Sequence, residues 1–141
     1  MKPSRIILHH SLTKDSKTVS WNAIRMYHMG FLGWSQIGYH YGIELVGQHY
    51  EIFTGRMMNE QGAHCQGHNE NSLGICFIGN FDLGRPCPEQ WNLGVKLVKS
   101  LIDVLAIPPY RILGHHQYDD NKSCPGKYFD IIKFVKAVAN I

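Results

Sequence analysis

The stretch Gly114-His115-His116-Gln117-Tyr118-Asp119-Asp120-Asn121-Lys122-Ser123-Cys124-Pro125-Gly126 gathers imidazoles, a thiol and a lysine in one polar, turn-rich segment. A second His-His pair, His9-His10, follows the apolar run Ile6-Ile7-Leu8 near the other end of the chain. Imidazole nitrogen and thiolate sulfur together are the donor set of zinc. Structural zinc closes its shell with four protein ligands, whereas catalytic zinc keeps three and leaves the fourth position to water. One histidine from each pair plus Cys124 would supply three. Zinc held that way lowers the pKa of its water to about 7 and so provides hydroxide at neutral pH. The competing reading is chance, since nine histidines in 141 residues make one His-His pair unremarkable. Two pairs, each after an apolar run and the second followed by Cys-Pro-Gly, are harder to dismiss.

The elements that must bring these segments together can be read from periodicity. Arg5 to His9 reads as a short buried strand, and because strand side chains alternate in direction, only one of His9 and His10 can face a given site. A polar loop is expected over Lys14 to Thr18, then a helix from about Ser20, with Trp21, Ile24, Tyr27 and His28 at helical spacing and Gly30 and Gly33 ending it. Gly38 to Leu45 reads as a strand, turned at Val46-Gly47-Gln48 into a partner strand, His49 to Phe53. A long Gly-, His- and Asn-rich loop covers Met57 to Ser72, and loops of that length are often functional. Leu73 to Ile78 suits a strand covered on both faces. Pro88 opens a helix whose stripe is Trp91, Val95, Val98, Ile102 and Leu105, and Pro108-Pro109 stops it. A short strand, Arg111 to Leu113, then delivers His115. Lys127 to Asn140 reads as the last helix, with Tyr128, Ile131, Ile132, Val135 and Val138 along one side. The fold class is α/β, a central mixed sheet of about five strands flanked by about three helices.

Composition sets outer bounds. The length suits one domain, 1–141, with a single core. Hydrophobic content of 44% with 18% charged residues is globular, and no apolar run reaches membrane-spanning length. The net charge of +3 is mild and forms no basic stripe, which gives nucleic-acid binding weak support, and attraction to an anionic polymer such as a cell wall fits equally well. Ile6-Ile7-Leu8 is too short for a secretory signal core, so synthesis in the cytoplasm is the expectation. The four cysteines, Cys65, Cys76, Cys87 and Cys124, form no C-x-x-C pair, which argues against a closed zinc knuckle. Cys76, inside an apolar run, reads as a small buried hydrophobe. Pairing of Cys65 with Cys87 has no support.

An ordered set of fragments then carries a resemblance. Ile-Leu-His9-His10-Ser, Gly38-Tyr39-His40-Tyr41, Gly62-Ala63-His64, Asn69-Glu70-Asn71-Ser72-Leu73-Gly74-Ile75, Gly114-His115-His116 and Lys122-Ser123-Cys124-Pro125-Gly126 resemble the zinc-dependent N-acetylmuramoyl-L-alanine amidases. That family includes short phage lysins, to which the length is most similar, and the peptidoglycan recognition proteins. The resemblance spans Ile6 to about Phe134. It implies one Zn2+ per chain on His9, His115 and Cys124, with His10 and His116 as non-ligands. It implies catalytic roles for Lys122 and Tyr39, and substrate contacts from His64 and, more weakly, Asn71. The implied partner is peptidoglycan, as muramyl peptide, met by a monomer that reaches the cell wall by a route other than a signal peptide. A noncatalytic peptidoglycan-binding or regulatory module on the same scaffold is the alternative; such members typically lack the cysteine ligand, and Cys124 is present. Arg56 after Gly55 reads as structural. Cys87 stands where relatives usually carry Ser or Thr, which forfeits a helix N-cap.

Overall fold

The computed structural model describes residues 1–13 and 20–141, so the loop expected over 14–18 lies outside the described residues. Five strands form one sheet: β1 (Arg5–His10), β2 (Tyr41–Val46), β3 (His49–Thr54), β4 (Ser72–Phe77) and β5 (Ile112–Gly114). Their order across the sheet is β3-β2-β4-β1-β5. β1 runs parallel to both β4 and β5, β2 runs parallel to β4, and only the hairpin partner β3 is antiparallel. The helices are α1 (Trp21–Met26), α2 (Pro88–Leu105) and α3 (Ile131–Ala139). The expected mixed sheet with three helices is the fold observed.

One face of the sheet carries the main core. Ile6, Leu8, Ile43, Leu73, Ile75 and Phe77 pack there against Val95, Val98 and Ile102 of α2 and Phe134 and Val138 of α3. Each such side chain, fully buried, contributes about 1.5–3 kcal/mol. The opposite face is smaller and more polar, with Trp21, Ile37, Cys76 and Ile78 clustered beneath α1. β4 is buried at every position, as a strand covered on both faces should be. Among the described residues, no helix is long and apolar enough to cross a membrane.

Several boundaries differ from the sequence reading. α1 begins as expected, with the Ser20 hydroxyl accepting from the Ala23 amide, but it continues as a π-helical turn over Tyr27–Phe31. β2 starts at Tyr41 rather than Gly38. The preceding three residues are tied to three separate segments: His40 N–H donates to Gly74 O, Arg56 N–H to Tyr39 O, and Ala63 N–H to Gly38 O. The last helix starts at Ile131, where the Asp130 carboxylate caps the Lys133 amide. Residues 127–130 form a turn instead, pinned by Tyr128 N–H donating to Phe81 O. Tyr128 and Ile132 are consequently exposed, and Phe134 takes the buried position that the expected stripe lacked. On α2 the buried face is centred on Gln90, Gly94, Val98 and Leu101, leaving Trp91 and Leu105 at its margins. Cys87 makes no side-chain cap, as its chemistry implied.

Candidate metal centre

Strand register brings the two histidine pairs together. Leu8 of β1 lies opposite Gly114 of β5, so the next residues, His9 still on β1 and His115 just past β5, come side by side. Their ring centroids are 4.7 Å apart. Both stand at the carboxyl ends of parallel strands, where open α/β sheets bind ligands. Ile6 and Leu8 face the main core, so alternation turns His9 to the opposite face and His10 back. The His10 ring is engaged elsewhere: its Nδ1 accepts from the Phe81 amide at 3.0 Å. His116 is engaged too, since both its Nδ1 and its backbone N–H donate to the Cys124 carbonyl, at 2.8 and 3.0 Å. Only the first member of each pair is left facing the centre.

Cys124 completes the group. The ligand atoms of His9, His115 and Cys124 lie within 4.8 Å of one another. Among the described residues, no other trio of His, Cys, Asp or Glu converges this way. Asp82 holds the cysteine loop in place: its carboxylate accepts from the Ser123 hydroxyl at 2.6 Å and the Lys127 amide at 2.9 Å. The Ser123 bond draws the Asp82 carboxyl below its usual range. Gly126 allows the loop to pass beneath, with φ at +118° and no room for a Cβ, which would fall 2.5 Å from the Phe81 backbone.

Electrostatics fit a metal. Burial, reinforced by the neighbouring His64, His115 and His10, pushes the His9 pKa well below its usual value. Burial and then the Lys122 cation lower His115. Both imidazoles are therefore neutral near pH 7 and offer lone pairs. Burial raises the Cys124 thiol, with only partial relief from the His10 backbone and Lys122. A buried thiol of this kind becomes a thiolate when a cation sits against it, so two neutral rings and a thiol suit a divalent metal.

Around the trio lies a cleft of about 540 Å³, lined among others by His28, Trp34, Tyr39, His64, Asn69 and Lys122. Tyr39 precedes β2 rather than riding on it, and its ring sits 5.2 Å from that of His9. Burial holds its hydroxyl well above the usual tyrosine range, and the Cys76 and Cys124 thiols add to the shift. The hydroxyl is thus a proton donor. Lys122 is exposed at the mouth. His64 is buried, with Nδ1 3.0 Å from His9 Nε2. Burial lowers its pKa to about 3. Asn71 does not line the cleft; Asn69 does, and its carboxamide oxygen accepts from the His64 and Cys65 amides. Arg56 is structural, donating to the Ile37 and Gln61 carbonyls. All four cysteines are free.

Sequence reasoning missed three members of this neighbourhood. Cys76 is the register partner of His9, and its raised thiol senses Cys124 after burial itself. Asp82 and Ser123 act through contacts spanning 41 residues. For Cys76 the signal was available, because β1 and β4 read as adjacent buried strands would share a face at that register.

The family model described as N-acetylmuramoyl-L-alanine amidase (Amidase_2) matches residues 1–127. The chain belongs to this amidase family. Among curated relatives, peptidoglycan-recognition protein SC2 of Drosophila melanogaster is 30% identical over 128 residues, covering 87% of this chain and 68% of that protein. Among solved structures, the N-acetylmuramoyl-L-alanine amidase LysC from Clostridium intestinale superposes with a TM-score of 0.84 at 29% identity, covering 100% of this chain and 87% of that one. A peptidoglycan recognition protein ectodomain complex of LCa and LCx, solved with tracheal cytotoxin bound, gives a TM-score of 0.79 at 28% identity. It covers 94% of this chain and 81% of the other. The family thus joins amidases with recognition proteins on one fold.

Proposed function

We propose that residues 1–141 form one catalytic domain, a zinc-dependent amidase that hydrolyses the bond between the N-acetylmuramic acid lactyl group and L-alanine in peptidoglycan. The observation that carries this reading is the convergence of His9, His115 and Cys124 beneath a cleft bordered by Lys122 and Tyr39. Bound there, zinc supplies a Lewis acid and a source of hydroxide near neutral pH. His9 and His115 as neutral rings and Cys124 as thiolate would hold it, a three-ligand set of the kind that keeps a fourth position for water. The Tyr39 hydroxyl, kept protonated by burial, donates a hydrogen bond to the oxygen on which negative charge develops. The Lys122 ammonium stabilises the same charge from the solvent side. The cleft accommodates the muramyl peptide, with His64 and Asn69 on its wall.

A pure recognition role is less economical, since binding a glycopeptide needs no buried thiol between two neutral imidazoles. The chain works in this reading as a monomer made in the cytoplasm and brought to the wall by a separate route. Purified protein should release new L-alanine amino termini from a peptidoglycan suspension. No new reducing sugar ends should accompany them. Reducing ends without free amino termini would identify a glycosidase and sink the bond assignment.

A further inference from the structure

We propose that His64 and Ser72 are positioning residues that fix the tautomer of His9 and so reserve its Nδ1 for the metal. The proposal rests on the metal-centre reading above. A chain of buried hydrogen bonds runs outward from His9 and ends at a main-chain carbonyl, which has no proton to give. Ser72 Oγ lies 2.6 Å from His68 O, so the serine proton is committed there. Ser72 Oγ also lies 3.3 Å from His64 Nε2. With its proton spent, the hydroxyl only accepts, and His64 carries its proton on Nε2. A neutral imidazole protonated at Nε2 has its lone pair on Nδ1. His64 Nδ1 is 3.0 Å from His9 Nε2, so His9 donates through Nε2 and keeps a free lone pair on Nδ1.

The polarity of the whole chain is therefore set by one peptide carbonyl, four residues before Ser72. Its members are shielded: His9 is 1% exposed, His64 9% and Ser72 0%. The His64 ring is also slotted in place. A Cβ added at either Gly62 or Gly74 would fall 2.5 Å from its Cδ2, so both flanking positions leave the ring its space only as glycine. The backbone of His64 is fixed separately through Asn69. A ligating histidine whose second nitrogen donates to an acceptor is oriented and made more basic. Here that acceptor is another histidine, itself oriented by a serine.

The test uses metal-free protein for the tautomer and zinc titration against a competing chelator for affinity. Long-range ring 15N–1H correlation spectra should show His9 and His64 of the metal-free wild type as Nε2–H tautomers. Ser72→Ala releases His64 from its orientation and should give His9 a mixed tautomer, with zinc bound about tenfold more weakly. His64→Leu removes the acceptor and should weaken zinc by about 10–100-fold. His64→Asn places a carbonyl oxygen where Nδ1 was and should recover most of that loss. Should His64→Leu fail to fold by circular dichroism, the wild-type spectrum and Ser72→Ala still decide. His9 protonated at Nδ1 in the metal-free wild type would overturn the proposal, as would unchanged zinc affinity in folded Ser72→Ala and His64→Leu. Wild-type protein that binds no zinc at all, whatever its tautomers, would instead remove the metal reading and leave the relay with nothing to serve.

Discussion

Lys122 and Cys124 sit two residues apart and meet opposite environments. The lysine is exposed at the mouth of the cleft, while the thiol is buried against the His10 carbonyl, 3.6 Å away. That contrast assigns different losses to their removal. Cys124→Ser exchanges a soft thiolate for a neutral hydroxyl, so zinc content should fall well below one per chain with far-ultraviolet dichroism retained. Turnover should then drop by at least about 10³-fold, as hydroxide generation is lost. Lys122→Met should leave zinc content near one and lower kcat by about 10²–10³-fold, equivalent to about 2.7–4 kcal/mol, with KM little changed. A variant that instead raised KM alone would make Lys122 a binding residue. At this scale much was legible. Strand alternation required that His9 and His10 part ways, and the ring contacts of His10 with Phe81 show the second one turned toward the core. His115 over His116 rested on resemblance; the physical reason is the clamp of His116 on the Cys124 carbonyl, a contact made only after the loop closes.

The elements were readable where periodicity was long and obscure where backbone bonds were non-local. α2 and β4 announced themselves through stripe and run. Gly38–His40 and Lys127–Asp130 looked like continuations of a strand and a helix, but their amides and carbonyls are satisfied by distant segments, which no local pattern records. Gln90 is a similar case. A polar residue on the α2 face, it is 1% exposed, and its Nε2 donates to the Ile43 and Ile78 carbonyls. It ties α2 to the middle of β2 and to the residue just past β4. Gly94 on the same face is required by contact, since a Cβ there would lie 2.4 Å from the Phe77 ring. Gly94→Ala should cost about 1–3 kcal/mol in urea unfolding without changing zinc content. A neutral effect would mean that α2 can move off the sheet more freely than its packing implies.

At the scale of the whole molecule, the polar face of the sheet is built from neutral imidazoles. His9, His40 and His64 are all buried, and burial lowers each pKa from the ordinary imidazole value of 6.5. The unfolded chain takes up protons as pH falls through about 6.5, whereas folded His64 does so only near 3. Between those limits the unfolded state binds more protons, so stability falls as pH falls. At pH 5 the buried ring of His64 costs on the order of 2 kcal/mol, and the lowered His9 adds to it in the same direction. The metal-free protein should therefore melt several degrees lower at pH 5 than at pH 7.5, and a flat Tm across that interval would mean that these rings are not held neutral. The sequence displayed nine histidines and the likelihood of a site, but not this face, because strand order and register decide which rings meet.

The central claim is that a metal held by His9, His115 and Cys124 runs amide hydrolysis. Its most direct test is clearing of a peptidoglycan suspension by the purified protein before chelation, after chelation, and after zinc is returned. Clearing that stops with the chelator and resumes with about one equivalent of zinc per chain is the predicted result. Clearing that persists in protein shown to be metal-free would contradict the account.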